Sequence, residues 1–349
     1  MTVTIPTEES FKSGLSRLIN GEQLTRNEAK NMMDAIMSGV STPSQISAFL
    51  SILRFRGETA EELTGFVESL RAHARTINYH DEVLDTCGTG GDGLSTFNIS
   101  TAVAILLSSL GVKVAKHGNR AVSSRSGSAD VLEKLNIPVQ TTIEEAVASL
   151  DEHHMSFLFA PLYHASMKYA ALPRKELGFR TVFNVLGPLA NPANSQRQLL
   201  GVYDFEIARK MAETLRSLGT KRALLVTGEY GLDEFSITGP SRVLLVENNK
   251  IIEKTISPED VGLPLGPLED IQVKTIDESA ALIQSIFSGE NTSTAKNIVL
   301  LNAGAALFVA GKVDTIAEGV KITREAIDSK RAYAQLNRLK KDKKEYNHA

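Results

Sequence analysis

Residues 82–115 read EVLDTCGTGGDGLSTFNISTAVAILLSSLGVKVA and hold, in one span, the unit from which most of the chain is built. Glu82 to Cys87 reads as a short strand, and four glycines within Gly88-Thr89-Gly90-Gly91-Asp92-Gly93 end it in a turn. Ile99 to Leu110 reads as a helix, Gly111 closes it, and Val112 to Ala115 reads as the next strand. Strand followed by helix followed by strand is the signature of a parallel or mixed sheet flanked by helices. Downstream the alternation recurs in the helix Ser126 to Leu135 and the strands Phe157 to Ala160 and Leu199 to Val202. It continues in the helix Ile207 to Leu218 and the strand Ala223 to Thr227. Arg242 to Ile256, with Asn248-Asn249 at its middle, reads as a hairpin. Pro258 to Pro267 is a loop, and the chain returns to helices from Asp277.

Upstream of residue 77 the pattern is helical. Thr42 before Pro43 is an N-cap followed by a first-turn proline. Thr59 with Glu62 has the spacing of a capping box. The apolar faces that follow, Ile46, Phe49, Leu50 and Leu53, then Leu63, Phe66, Val67 and Leu70, require several helices to pack together. The fold class expected is therefore α/β, with a helical domain over 1–77 and a larger α/β domain over 78–349. Later helices near 170–195 are able to join the first domain.

With 349 residues, 42% hydrophobic and 23% charged, the chain has ample material for a core. The net charge of 38 − 41 = −3 argues against nucleic acid or an anionic membrane as the main partner. One cysteine, Cys87, allows no internal disulfide and fits a reducing compartment. Met1 to Leu18 has neither the apolar run nor the charge pattern of a targeting segment. A cytoplasmic protein is expected.

The glycine turn formally satisfies G-x-G-x-x-G, but a dinucleotide site needs an acid at the end of the second strand, and Lys116-His117 stands there. The turn also lacks the G-K-[ST] ending of a Walker A loop. Its glycines would let backbone N–H groups approach an anion at a helix N-terminus, with Thr96, Asn98, Ser100 and Thr101 as further donors. A purely structural turn with a capped helix is the alternative. Lys116 to Ser128, with three cations, four serines and two glycines, suits a loop that closes on a polyphosphate; a solvated surface loop is the other reading. Asp233-Glu234 offers hard oxygen ligands of the kind Mg²⁺ shares with phosphates. His153-His154 lacks the spacing of a helical metal pair and reads as structural.

These pieces become specific together. Residues 85–93, 98–101, 116–120, 174–189 and 231–234 resemble, in order, the motifs of the anthranilate phosphoribosyltransferase family, and the likeness covers nearly the whole chain. The resemblance implies a small helical domain, a larger α/β domain, and a homodimer. It implies that Gly88, Gly91, Asp92, Thr96, Asn98, Ile99, Ser100 and Thr101 hold phosphoribosyl pyrophosphate. Lys116, His117, Gly118, Asn119, Arg120, Ala121, Val122, Ser123, Ser124 and Ser128 join them. It further implies that Ser100, Asp233 and Glu234 ligate Mg²⁺, and that Gly88, His117, Asn119 and Arg174 contact anthranilate. The implied reaction forms phosphoribosyl-anthranilate for tryptophan biosynthesis. Ala165 departs from the proline frequent in the family, near the expected anthranilate entrance, and Cys87 reads as packing rather than a nucleophile. A pyrimidine nucleoside phosphorylase, which shares the fold, is an alternative, although Asp85-Thr86-Cys87 stands where those enzymes have a Lys-His step. A catalytically silent member that binds a nucleotide or nucleic acid is another.

Overall fold

The computed structural model describes residues 8–121 and 126–340. Four helices open the described chain: α1 (Glu8–Ile19), α2 (Arg26–Met37), α3 (Pro43–Arg56) and α4 (Ala60–His73). Their starts are set by local chemistry. Thr25, Thr42 and Thr59 each accept a hydrogen bond from the backbone N–H three residues on, and Glu28, Gln45 and Glu62 reach back to complete three capping boxes. Each such cap contributes roughly 1 kcal/mol. Glu62 does more than cap: fully buried, it accepts from Arg56 through both oxygens at 2.7 Å and from the Leu24 N–H at 2.9 Å. The helix α4 crosses α2 at Gly65, where a Cβ would collide with the Arg26 carbonyl, so only glycine permits this approach.

The rest is built on one seven-stranded sheet: β1 (Leu84–Gly88), β2 (Val114–Gly118), β3 (Met155–Phe159), β4 (Arg197–Gly201), β5 (Arg222–Thr227), β6 (Ser241–Glu247) and β7 (Lys250–Ile256). The order is β3-β2-β1-β4-β5-β6-β7; the first five are parallel and the last two antiparallel. The hairpin turn is Asn248-Asn249 as expected, both with positive φ (51° and 57°), which two-residue hairpins of the twisted sheet favour. One expectation is corrected. The second strand does not stop at Ala115 but runs on to Gly118, pairing Lys116, His117 and Gly118 with Phe157, Leu158 and Phe159. The polar pair Lys116-His117 resembles a loop start in sequence, yet both residues have buried partners that keep them in the ladder.

One face of the sheet packs on α5 (Ile99–Ser109) and on the C-terminal helices, chiefly Thr294–Val309. The other face shares a core with α1 to α4, with the helix Phe205–Ser217, and with Ala170 and Phe183 from the 168–186 region. The order in which strands are added reverses about β1: β2 and β3 are laid down on one side of it, and β4 onward on the other. In open α/β sheets a crevice forms at the carboxyl ends of strands at such a switch point. Among the described residues no helix is long and apolar enough to cross a membrane.

Candidate functional site

Two cavities adjoin at the carboxyl ends of β1 and β2. One, of about 300 Å³, runs along the glycine loop to the start of α5; the other, of about 450 Å³, opens toward the helical bundle. They share Cys87, Gly88, His117, Gly118 and Asn119, so one strip of backbone borders both.

The smaller cavity is polar. Gly88 to Asp92 of the glycine loop line it, and within the loop Gly90, Gly91 and Gly93 have φ of 69°, 76° and 79°, a region costly to side-chain-bearing residues. A Cβ on Gly91 would also collide with the Arg180 guanidinium, which stacks on the Tyr203 ring at 4.4 Å. The Gly90 N–H donates to Asp233 Oδ2 at 2.7 Å, tying the loop to the acidic pair. Of the phosphate and metal candidates within the described residues, all line this cavity except Thr101. Thr101 is fully buried, because one helical step from Ser100 turns it toward the core, and its hydroxyl has no partner among the described residues. Val122, Ser123 and Ser124 lie outside the described residues. Two cations expected to face phosphate are already engaged. Lys116, buried, donates to the Thr86 carbonyl at 2.5 Å and to Ser100 Oγ at 3.1 Å. Arg120 donates to Asp130 and Glu133 and lies over the Phe159 ring at 5.6 Å. Asn98 precedes α5 without capping it; its Oδ1 accepts from Ser126 and Ser279 instead.

Asp233 and Glu234 sit together at the floor of this cavity. Burial raises both, the neighbouring Asp92 raising Asp233 further, to about 7, and Asp233 raising Glu234 further, to about 8. The nearby Lys116 and a hydrogen bond from the Ser100 backbone pull Glu234 back only in part. Asp92 Oδ2 is buried and has no partner among the described residues. This cluster of acids costs free energy as it stands, and a divalent cation would relieve it. No group of three or more His, Cys, Asp or Glu among the described residues makes a complete metal cage. An incomplete oxygen set is what suits Mg²⁺, which keeps waters and takes its remaining ligands from phosphates.

The larger cavity is mostly apolar, and all four anthranilate candidates, Gly88, His117, Asn119 and Arg174, line it. Arg174 stands in the last turn of the helix Lys168–Leu177, half-buried, with its guanidinium 5.2 Å from the centre of the Phe183 ring. Burial lowers its pKa, and it has no hydrogen bond or ion pair to any described residue. His117 and His164 face each other with ring centres 5.1 Å apart, and both Nε2 atoms are buried with no partner among the described residues. Burial and the His164 ring push His117 down to about 3, so it is a neutral imidazole at physiological pH. Cys87 is held protonated by burial, its Sγ 3.6 Å from Asp85, which agrees with packing and not with a nucleophile.

Sequence reasoning left several contributors unread. Asp85, fully buried, accepts from the His117 N–H at 3.2 Å and so fixes the strip between the cavities. Gly201 ends β4 where a Cβ would overlap the Asp233 backbone. The sequence carries a trace of each, an acid inside an apolar strand and a strand-terminal glycine, but their partners are far off in the chain.

With this geometry in hand, the likeness to known proteins is direct. The chain matches the glycosyl transferase family's helical bundle domain over residues 12–74 and its a/b domain over residues 80–333. It is 57% identical over 330 residues to the anthranilate phosphoribosyltransferase of Geobacillus sp. (strain WCH70), covering 95% of this chain and 97% of that one. The crystal structure of the Thermus thermophilus anthranilate phosphoribosyltransferase superimposes with a TM-score of 0.88 at 40% identity, over 93% of this chain and 97% of that one. The Saccharomyces cerevisiae enzyme in complex with PRPP and Mg superimposes with a TM-score of 0.87 at 27% identity, over 96% of this chain and 98% of the other.

Proposed function

We propose, since this chain belongs to the anthranilate phosphoribosyltransferase family, that it transfers the phosphoribosyl group of phosphoribosyl pyrophosphate to anthranilate in tryptophan biosynthesis. One observation carries the reading: a polar cavity with a glycine loop and an acidic pair meets an apolar cavity with a free guanidinium, along the strip Gly88 to Asn119. The first suits a sugar phosphate with its pyrophosphate, the second an aromatic ring bearing a carboxylate.

In this reading the N–H groups and bare Cα atoms of Gly88 to Gly91 hold the phosphate end by close backbone contact. Asp233 and Glu234, with Ser100, would hold Mg²⁺, which when bound would supply positive charge to offset that developing on the leaving pyrophosphate. Arg174 reads the anthranilate carboxylate with its planar fork, and the apolar wall orients the ring. The amine nitrogen then forms a bond to the anomeric carbon as the bond to pyrophosphate breaks. Pyrophosphate takes the bonding electrons and the amine sheds a proton. An aromatic amine has its lone pair free at neutral pH, and a neutral, weakly basic His117 is consistent with a reaction that needs no strong base. Most of the acceleration is then orientation and charge stabilisation. A homodimer is supported by the bundle's exposed apolar groups, Phe55 at 96% and Ile19 at 70% exposure, and a cytoplasmic location by the single, unpaired cysteine.

The test is to mix the protein with Mg²⁺, phosphoribosyl pyrophosphate and anthranilate and follow anthranilate fluorescence. Magnesium-dependent consumption is expected. No consumption refutes the reading, and phosphorolysis of thymidine in its place assigns the chain to nucleoside chemistry.

A further inference from the structure

The turn Gly187–Ala190 forms part of the wall of the apolar cavity, and each of its four residues is held by a side chain from a different place in the fold. The Leu189 carbonyl accepts from both Nε and Nη2 of Arg71, at 3.0 and 2.8 Å. The Pro188 carbonyl accepts from Gln198 Nε2 of β4 at 3.0 Å. The Gly187 and Ala190 backbones engage the His117 and His164 rings. The same turn therefore stations both imidazoles at the cavity, each with an Nε2 that has no partner among the described residues.

Arg71 is the member that comes from the helical bundle. It lies in the last turn of α4, half-buried, and burial lowers its pKa. It has no ion pair to a described residue, and its remaining contact is Nη1 to Asn194 Oδ1 at 3.5 Å. The residue before it, Leu70, is 4% exposed and lines the cavity itself. A partly desolvated cation with only carbonyl and amide partners is a costly way to hold a turn, and an apolar side chain of similar size would serve packing as well. What a guanidinium adds is a rigid fork: two N–H groups on one carbonyl fix direction as well as distance.

We propose that Arg71 is a positioning residue for the acceptor substrate: from α4 it fixes the Gly187–Ala190 turn, and through that turn the placement of His117 and His164 across from Arg174. The proposal rests on the reading of the apolar cavity as the anthranilate site. Arg71 does not line either cavity, so its effect should fall on one substrate only.

The experiment compares the full-length wild type with Arg71→Ala and Arg71→Lys in steady-state kinetics, varying each substrate in turn. Loss of a charge-assisted contact predicts that Arg71→Ala raises KM for anthranilate about tenfold and leaves KM for phosphoribosyl pyrophosphate within about twofold. Guanidinium ion at low millimolar concentration, well below denaturing levels, should restore part of the loss. Arg71→Lys keeps the charge but loses the fork and should raise the anthranilate KM about threefold. If Arg71→Ala does not fold, the lysine variant carries the test by the same split between the two constants. An active wild type whose two KM values are unmoved by the substitutions, or rise together, overturns the proposal alone. A wild type that leaves anthranilate untouched overturns the functional reading and this proposal with it.

Discussion

Arg174→Ala tests what selects the acceptor. Arg174 is the only guanidinium among the described residues lining the apolar cavity, and it has no acid to pair with; Glu176, the nearest acid in sequence, makes no ion pair with it. A surface ion pair would have been worth about 0–1 kcal/mol. A hydrogen-bonded charge in a partly desolvated cavity is worth about 1.5–3 kcal/mol. Because Arg174 is only half-buried, solvent screening favours the lower part of that range, and ~1.5–2 kcal/mol corresponds to a rise of roughly ten- to thirtyfold in KM for anthranilate. The cost to the fold should be small, since no internal ion pair is lost. Removing the stacking on Phe183 is worth about 0.5–1 kcal/mol, a fall in Tm of roughly 1 °C for a chain of this length. The assay is initial-rate fluorimetry with anthranilate varied at saturating phosphoribosyl pyrophosphate and the reverse, together with a thermal melt. If both KM values rise equally, or neither moves, Arg174 does not read the carboxylate, and His117 and Asn119 become the next candidates.

Four further outcomes follow from the site and the bundle. Gly91→Val places a β-branched residue at φ 76° against Arg180; it should cost at least ~1–2 kcal/mol of phosphoribosyl pyrophosphate binding by calorimetry, and unchanged binding would make the loop merely structural. Asp233 and Glu234 are raised by burial and by neighbouring acids, so their contribution favours the fold at low pH and is lost as pH climbs from about 4 through the raised values near 7 and 8. The increase in Tm caused by Mg²⁺ should therefore grow from about pH 6 to about pH 8.5, and a constant increment argues against these ligands. Combining Asp233→Asn with Glu234→Gln should abolish that increment and most activity while raising the metal-free Tm at high pH; wild-type metal dependence would exclude the pair. In the bundle, Glu62→Ala strands Arg56, the capping N–H of Thr59 and the N–H of Leu24 and should lower unfolding free energy by about 3 kcal/mol in denaturant titration, with a change under 1 kcal/mol counting against it.

What the sequence made legible was local. The strand, glycine turn and helix of residues 82–110, the caps at Thr42 and Thr59, and the Asn248-Asn249 hairpin each depend on neighbours within a few positions. The phosphate and acceptor candidates came as a set because their motifs occur in order. Misreadings arose where a partner lies far along the chain. Lys116 and His117 look like the opening of a loop until Thr86 and Asp85, some thirty positions earlier, take their hydrogen bonds. Thr101 follows six cavity-lining residues, yet the turn of a helix sends it to the core. His164, Arg71 and Arg180 acquire meaning only once the 160–190 region folds back on β2 and the glycine loop, which no spacing rule announces. The Thr25–Glu28 capping box is the exception: its signal was local and went unread.

The core shared between the bundle and the sheet bears on how the molecule comes apart. Leu53, Leu63 and Phe66 belong to the same apolar cluster as Leu200, Leu225 and Val246 of the sheet. The helices of residues 8–73 thus share their interior with that side of the sheet, which they cover together with the helix Phe205–Ser217. Cutting the chain between 74 and 83 would release a fragment with a bare greasy flank rather than an autonomous folding unit. Heat or denaturant should meet a single cooperative block in which the phosphate-loop half and the helical half are lost in one step.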